Sequence, residues 1–288
     1  MRLSKGLPTL SKFPLPAVKL LVMLALIMSV SACSMFGHKR QNIDTMPVQE
    51  LYAKAHTWME NGDYAVATNA YQRLVARFPS GEYTEQAQLD MGYSQYKDNQ
   101  PDEALSTINR FIKTYPANKH VDYAYYLRGL INFGRTTGFV ERLTKASGGQ
   151  SRRDQGYNLQ SFDDFSELSR RFPDSAYTAD ARQRMIYLRN LLAQYEINVA
   201  EFYLRDKAYV AAANRSQYVV EHYQQSPQTG DALAILSRSY LALGRKTLAE
   251  ETRKVLALNY PEHPYLNDAK WPHPPSTLRK MIPFSGHH

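Results

Sequence analysis

Between Gly62 and Pro79 the chain reads GDYAVATNAYQRLVARFP, in which Ala67, Tyr71 and Leu74 stand four and three residues apart and Phe78-Pro79 closes the run. The spacing returns. At the same offsets come Ala104, Ile108, Phe111 and Tyr115-Pro116; further on come Ser161, Phe165, Leu168 and Phe172-Pro173, and finally Ala249, Arg253, Leu256 and Tyr260-Pro261. A weaker copy, Tyr209, Ala212, Ser216, Val219 and Tyr223, has Gln224 where proline would stand. Tyr83-Thr84-x-x-Ala87 and Tyr177-Thr178-x-x-Ala181 match after two of the prolines. A small residue followed by apolar groups four and seven positions on makes one face of a helix. The small residue lets a paired helix approach closely. Proline cannot continue the helix and pushes its predecessor out of the right-handed helical region, which forces a turn. Ahead of each unit lies an amphipathic first helix, as with Leu51, Ala55 and Trp58, or Gly92 and Tyr96.

The pattern resembles the tetratricopeptide repeat, a helix–turn–helix unit of about 34 residues. The fold expected is all-α: a right-handed superhelical solenoid of about five such pairs over residues 48–261, with halves 48–173 and 174–261 and a concave groove. Stacking is required because no single pair can bury its apolar face alone. Two departures stand out. The step from Gly129 to Ser161 is much longer than the one from Gly92 to Ala104, so the third unit carries an insertion between its helices. It spans 134–157, holds Gly134, Gly138, Gly148, Gly149 and Arg152-Arg153-Asp154, and reads as a surface loop or excursion. The interval from Pro173 to Tyr209 is also longer than its counterpart after Pro79, and it holds no further Pro or Gly. The excess is close to four helical turns, so one long helix from about Tyr177 to Leu204 is expected, with Met185, Leu188, Leu192, Tyr195 and Val199 inward.

Outside the repeats, residues 1–32 hold Arg2, Lys5, Lys12 and Lys19 and no acid, then run apolar from Leu20 to Val30 and end Val30-Ser31-Ala32 before Cys33. This is the make-up of a secretory signal, and the apolar run falls short of the roughly 20 residues a bilayer span needs. Cys33 is the only cysteine. Val30-Ser31-Ala32-Cys33 resembles the lipobox of bacterial lipoproteins. The resemblance implies a diacylglycerol on the Cys33 thiol, cleavage before it and acylation of the new amino terminus; Ser34 in place of Asp implies sorting to the outer membrane. A leader at 1–32 and a lipidated tether at 33–47 are expected, anchored in the bilayer without spanning it. With its only thiol consumed, the chain has no internal disulfide and apolar packing must hold the fold. The tail, 262–288, holds Pro264, Pro272, Pro274, Pro275 and Pro283 and reads as flexible, with Trp271 and Leu278-Arg279-Lys280-Met281 as the parts able to dock.

Charge and motif content narrow the function. The formal charge of +8 includes the four leader cations and no leader acid, which leaves +4 for the rest. No dense basic stripe with interleaved aromatics appears, so no nucleic-acid partner is expected. No phosphate cradle, nucleophile elbow or zincin motif is present, so neither an enzyme nor a cofactor is expected. His263, His273, His287 and His288 gather in the tail without zinc-site spacing and read as solvated. Most of the 21 tyrosines recur at repeat positions and read as packing residues, a minority lining the groove.

Three strings carry a closer resemblance: Tyr126-Leu127-Arg128-Gly129-Leu130, Phe162-Asp163-Asp164-Phe165-Ser166-Glu167-Leu168, and Tyr195-Glu196-x-x-Val199-Ala200-Glu201-Phe202-Tyr203, continued by Ala208-Tyr209-Val210-Ala211 and Asn214-Arg215. They resemble the BamD family, lipoproteins of the outer-membrane β-barrel assembly machinery, over roughly residues 45–260. The resemblance implies a non-enzymatic periplasm-facing protein that binds a POTRA domain of BamA through its C-terminal repeats, alongside other lipoproteins of the complex. It implies that the N-terminal repeats receive the C-terminal signal of unfolded outer-membrane β-barrel proteins. It implies that Arg215 meets an acidic residue of the POTRA domain. On a helix Arg215 lies about 40° from Val219 and about 60° from Ala212, on the flank of the apolar stripe. An ion pair with a neighbouring helix is the alternative for Arg215. Another periplasmic repeat-scaffold lipoprotein, organising peptidoglycan or envelope proteins, is the alternative for the whole chain.

Overall fold

The computed structural model describes residues 43–136, 152–268 and 271–272. The chain divides into two compact units, Met1–Pro47 and Val48–His288. In the first, the described part is the 3-10 turn Ile43–Thr45 with Met46 and Pro47. The leader, Cys33 and most of the tether lie outside the described residues, as do 137–151.

The second unit holds ten α-helices and no strand among the described residues. They pair as α1 Val48–Glu60 with α2 Tyr64–Arg77, α3 Glu82–Lys97 with α4 Pro101–Thr114, and α5 Val121–Thr136 with α6 Arg152–Arg171; then α7 Thr178–Arg205 with α8 Tyr209–His222, and α9 Thr229–Ala242 with α10 Lys246–Asn259. Each helix packs on the next, and the first helices of neighbouring pairs touch, α1 on α3, α3 on α5 and α7 on α9. This is the all-α repeat solenoid that the spacing predicts.

The repeat positions form its core. Ala67, Tyr71, Leu74, Ala104, Ile108, Phe111, Ser161, Phe165, Leu168, Ala212, Ser216 and Val219 are all fully buried. Each large apolar one contributes about 1.5–3 kcal/mol. Only the last unit departs, with Arg253 exposed between Ala249 and Leu256. Glycines of the first helices set the tightest approach. A Cβ on Gly92 would sit 2.5 Å from Ile108 Cδ1, and one on Gly129 2.5 Å from Phe165 Cε1.

Two turn types alternate along the array. Within pairs, Gly62, Asn99, Lys207 and Gly244 take φ of 85°, 59°, 62° and 74°. The next N–H reaches back to the carbonyl five residues earlier, Asp63 to Trp58, Gln100 to Gln95, Ala208 to Tyr203 and Arg245 to Tyr240, each at 2.9 Å. This is the Schellman closure, for which glycine is the unstrained residue. At three of the four turns between pairs, a threonine hydroxyl donates to the carbonyl six residues earlier: Thr84 to Phe78 at 2.6 Å, Thr178 to Phe172 at 2.7 Å and Thr229 to Tyr223 at 3.2 Å; Val121 stands at the fourth. The turn at Gln224 closes in the same way as those at Pro79 and Pro173, so proline favours this turn without being needed for it.

Three expectations are corrected. The insertion at 134–157 is not wholly a loop. Gly134 lies in the last turn of α5, and α6 already begins at Arg152, so Arg152-Arg153-Asp154 is helical backbone. The long helix is present at Thr178–Arg205, but its apolar face is not continuous. Ala181, Leu188 and Leu192 are buried, then Ala193, Ile197, Ala200 and Leu204, while Met185, Tyr195 and Val199 are only half-buried. At 100° per residue the second set points about 130° away from the first. Ala181 and Leu188 pack with Phe165 and Leu168 of α6, whereas Leu192 joins Ala193, Ile197, Ala200 and Leu204 against Ala212 and Val219 of α8 and Ala232 and Ile235 of α9.

The third correction concerns the tail, whose first residues are not free. A 3-10 turn at Pro264–Leu266 follows α10, and Tyr265 is buried against Leu233, Ala234 and Leu256 with Trp271 packed alongside. Arg253 donates to the Leu266 carbonyl at 2.7 Å, and Arg238 donates to that of Trp271. His263 is not a solvated histidine. Its side chain is 9% exposed, Nε2 lies 3.0 Å from Asp231 Oδ1, and Nδ1 accepts the Tyr265 N–H at 3.2 Å. His273, His287 and His288 lie outside the described residues.

Candidate functional site

Three polar constellations are built on this scaffold. In the first two pairs, α1, α2 and α3 converge on Asp90, which is 8% exposed. Tyr52 donates to its Oδ2 at 2.8 Å, Tyr71 to the same oxygen at 3.4 Å, and Gln86 to Oδ1 at 2.9 Å. The nearest cationic candidate is His56, 3.9 Å away. Burial lifts the Asp90 carboxyl above its ordinary value against the pull of these donors. Burial and then Asp90 itself push both phenols well above theirs. Around this box Tyr52 stacks on His56 at 5.8 Å and meets Tyr83 at 5.5 Å. Further along the first helices Tyr177 lies 5.1 Å from Tyr123 and 5.0 Å from Tyr126. The sequence marks these tyrosines but not Asp90, which is one acid among helical polar residues.

The second constellation explains two of the strings that carry the family resemblance. Arg128 on α5 sets Nε 2.8 Å from Asp164 Oδ1 and Nη2 2.6 Å from Glu167 Oε2, both on α6. Asn132 donates to the other Asp164 oxygen at 2.7 Å. One residue on, Gly129 receives the Phe165 ring, and Ser161 donates to the Gly129 carbonyl at 3.0 Å. The two strings therefore form one lock between α5 and α6, beside a cleft of about 630 Å³ that Asn109, Arg135, Tyr157 and Gln160 help to line. Burial lifts the Asp164 carboxyl, and Arg128 opposes that first.

The third constellation holds Arg215, on α8 between buried Ala212 and Ser216. Its Nη1 lies 2.9 Å from Glu196 Oε2 on α7; the arginine side chain is 44% exposed and the glutamate 13%. The hydrogen bond it donates to Glu196 holds the guanidinium above its ordinary value. That contact engages one of five N–H donors on a side chain that is nearly half exposed. The pair is not legible in the sequence, because 19 residues separate its members and no helical spacing links them. Asn214 is exposed beside it. Among the described residues no group of three or more His, Cys, Asp or Glu side chains could hold a metal ion, and no helix is long and apolar enough to cross a membrane. Cys33, the expected lipid site, lies outside the described residues.

Residues 44–256 match the model of the YfiO family, described as outer membrane lipoprotein. The chain belongs to the YfiO family. A family relative in Xylella fastidiosa (strain Temecula1), the outer membrane protein assembly factor BamD, is 45% identical over 94% of this chain and 92% of its own. The protein of the same name in Neisseria meningitidis serogroup A is 39% identical over 88% of this chain and 96% of its own. Among solved structures, a tetratricopeptide-repeat protein of Thermus thermophilus aligns with a TM-score of 0.36 at 14% identity, over 77% of this chain and 95% of that one. The YfiO match runs from the first described residues almost to the end of α10, so it takes in all three constellations.

Proposed function

We propose that this chain is a non-enzymatic, lipid-anchored subunit of the outer-membrane β-barrel assembly machinery, facing the periplasm. Its relatives are named outer membrane protein assembly factors. In this reading acyl chains on Cys33 hold the chain at the membrane, the leader 1–32 is removed, and 33–47 is the tether. The C-terminal half binds a POTRA domain of BamA through Arg215 and adjoins the other lipoproteins of the complex. The N-terminal half receives the C-terminal signal of unfolded β-barrel proteins, for which the partly exposed rings of Tyr52 and Tyr83 beside Asp90 offer contact area to an extended peptide ending in an aromatic residue.

The observation that carries the reading is the half-exposed guanidinium of Arg215. A guanidinium gripped on one side by Glu196 keeps its planar donors for a second carboxylate. As a half-exposed pair, Arg215–Glu196 contributes only about 0–1 kcal/mol to the fold, so the contact can be broken without unfolding the chain. The test is purification from detergent-solubilised envelopes of cells fed a palmitate analogue. Wild type should carry the label and bring down BamA. Arg215→Glu, which also places a second carboxylate against Glu196, should carry the label, keep its thermal midpoint and bring down no BamA. Cys33→Ala should carry no label. Retention of BamA by Arg215→Glu, or a collapsed midpoint, would leave Arg215 a structural residue, and label on Cys33→Ala would remove the anchor. Recovery of cell-wall synthases in place of BamA would point to the alternative scaffold role.

A further inference from the structure

Successive helices of the C-terminal half alternate in direction and pack in order, α7 also touching α9. The turn between α7 and α8 therefore lies on the same edge as the turn between α9 and α10. That edge exposes large apolar side chains: Phe202 57%, Val210 59%, Leu241 56%, Leu243 39% and Leu248 45%. Interspersed with them are Arg205, Lys207, Arg245 and Lys246, all exposed. Of the acids nearby, Glu201 is held by Arg205 at 3.4 Å, Asp206 is the only one within the turns, and Glu250 and Glu251 follow Leu248 on α10, both exposed.

The equivalent turns of the first two pairs give the contrast. Residues 60–66, around Gly62, carry Glu60 and Asp63; residues 97–103, around Asn99, carry Lys97, Asp98, Asp102 and Glu103; each window nets −2. The matching windows around Lys207 (205–211) and Gly244 (242–248) net +1 and +2. The backbone is the same Schellman turn in all four, and the first also exposes Val66 at 49%, so nothing in the fold demands the change of sign or the added leucines and phenylalanine.

We propose that this C-terminal turn edge is a contact site for an anionic phospholipid surface. Single apolar side chains project from turns and are separated by Lys and Arg, whose aliphatic stems can lie along the apolar layer while their charges reach headgroups. Basic groups of this kind are drawn to anionic lipid and are screened by salt. A protein interface is instead centred on a contiguous patch with aromatic anchors and depleted of lysine. The inference stands independently of Arg215 and of the lipid on Cys33, because it concerns different residues and needs no acyl chain.

The test uses the chain from Ser34 onward, which retains the whole second unit, Val48–His288, and carries neither leader nor acyl group. Flotation is measured with phosphatidylethanolamine–phosphatidylglycerol vesicles and with phosphatidylcholine vesicles, at low and high salt. Wild type should float with the anionic vesicles at low salt, far less at high salt, and not with phosphatidylcholine. Lys207→Glu combined with Lys246→Glu should lower the bound fraction about ten-fold or more. Phe202→Ser combined with Leu243→Ser should lower it while leaving the charge unchanged. All four side chains are exposed, and unchanged helical dichroism certifies both variants. The proposal is overturned if wild type does not float with anionic vesicles, floats equally well with phosphatidylcholine, or is matched by both variants. Loss of a copurifying protein by the variants, with no flotation of wild type, would make the edge a protein interface and remove the lipid.

Discussion

In the first three pairs the array buries carboxylates and carboxamides, among them Asp90, Gln88, Gln95, Asn132 and Asp164; in the last two its buried polar side chains are hydroxyls, such as Ser216, Ser226, Thr229, Ser237 and Ser239. The surface shows the reverse contrast. Within-pair turns are acidic around Gly62 and Asn99, and basic with exposed apolar groups around Lys207 and Gly244. The turn geometry and the repeating grid of a small residue with two apolar followers are common to both halves, so they are what the fold requires. What differs, a charged interior in one half and an apolar, cationic exterior in the other, is free of that requirement and is where the two halves can acquire separate tasks.

The strongest way to break this comparison is at the α5–α6 lock. Arg128→Met removes the cation paired with Asp164, whose side chain is 1% exposed. Stranding a buried charge typically costs about 3–5 kcal/mol, and chemical denaturation should register a loss of that size. A loss under about 1 kcal/mol would mean that Asp164 is not held as a charge, and the interior contrast would fall. Asp90 sharpens the same contrast through pH. Its carboxyl is raised on folding, so folding takes up a proton. Stability should therefore rise as pH falls from Asp90's raised value to the ordinary carboxylate value, and level off below. Asp90→Asn should flatten that part of the profile, measured as thermal midpoint against pH; an unchanged profile would remove Asp90 as its source. The smallest effect is expected in the C-terminal half. Lys207 occupies a left-handed position filled by glycine in two of its counterparts. Lys207→Gly trades backbone strain against unfolded-chain entropy and should stabilise by about 0.5 kcal/mol. A clear destabilisation would show that the side chain, not the turn, matters to the fold.

The repeat grid was legible because helical period and proline spacing are local, and Ala67-Tyr71-Leu74 and its copies were read as they pack. The long helix was legible in extent and not in face. Length follows from the absence of Pro and Gly after Pro173, whereas the change of face depends on which helices flank each half of α7. The start of α6 within the insertion was hidden by its glycines and charges. His263 looked like a tail histidine because its partner Asp231 is far away in the chain, on α9. Arg215 was identified by resemblance, and its grip by Glu196 is tertiary information that no helical spacing carries. Asp90 had no sequence signal at all.

The strap from His263 to Trp271 has a consequence for assembly. After Tyr260 the chain makes the same backbone turn that elsewhere launches a new pair, His263 N–H to Tyr260 and Leu266 N–H to His263, each at 3.0 Å. Within the described residues it then makes one 3-10 turn, and Tyr265 and Trp271 pack over α9 and α10. The face that a sixth pair would occupy is filled by the chain's own residues, with Arg253 turned to the strap's backbone. Repeat arrays with an open end can join head to tail, and such heterologous contacts do not close and so grow into filaments. An end covered from within offers the next copy no such open face, so it does not favour head-to-tail growth.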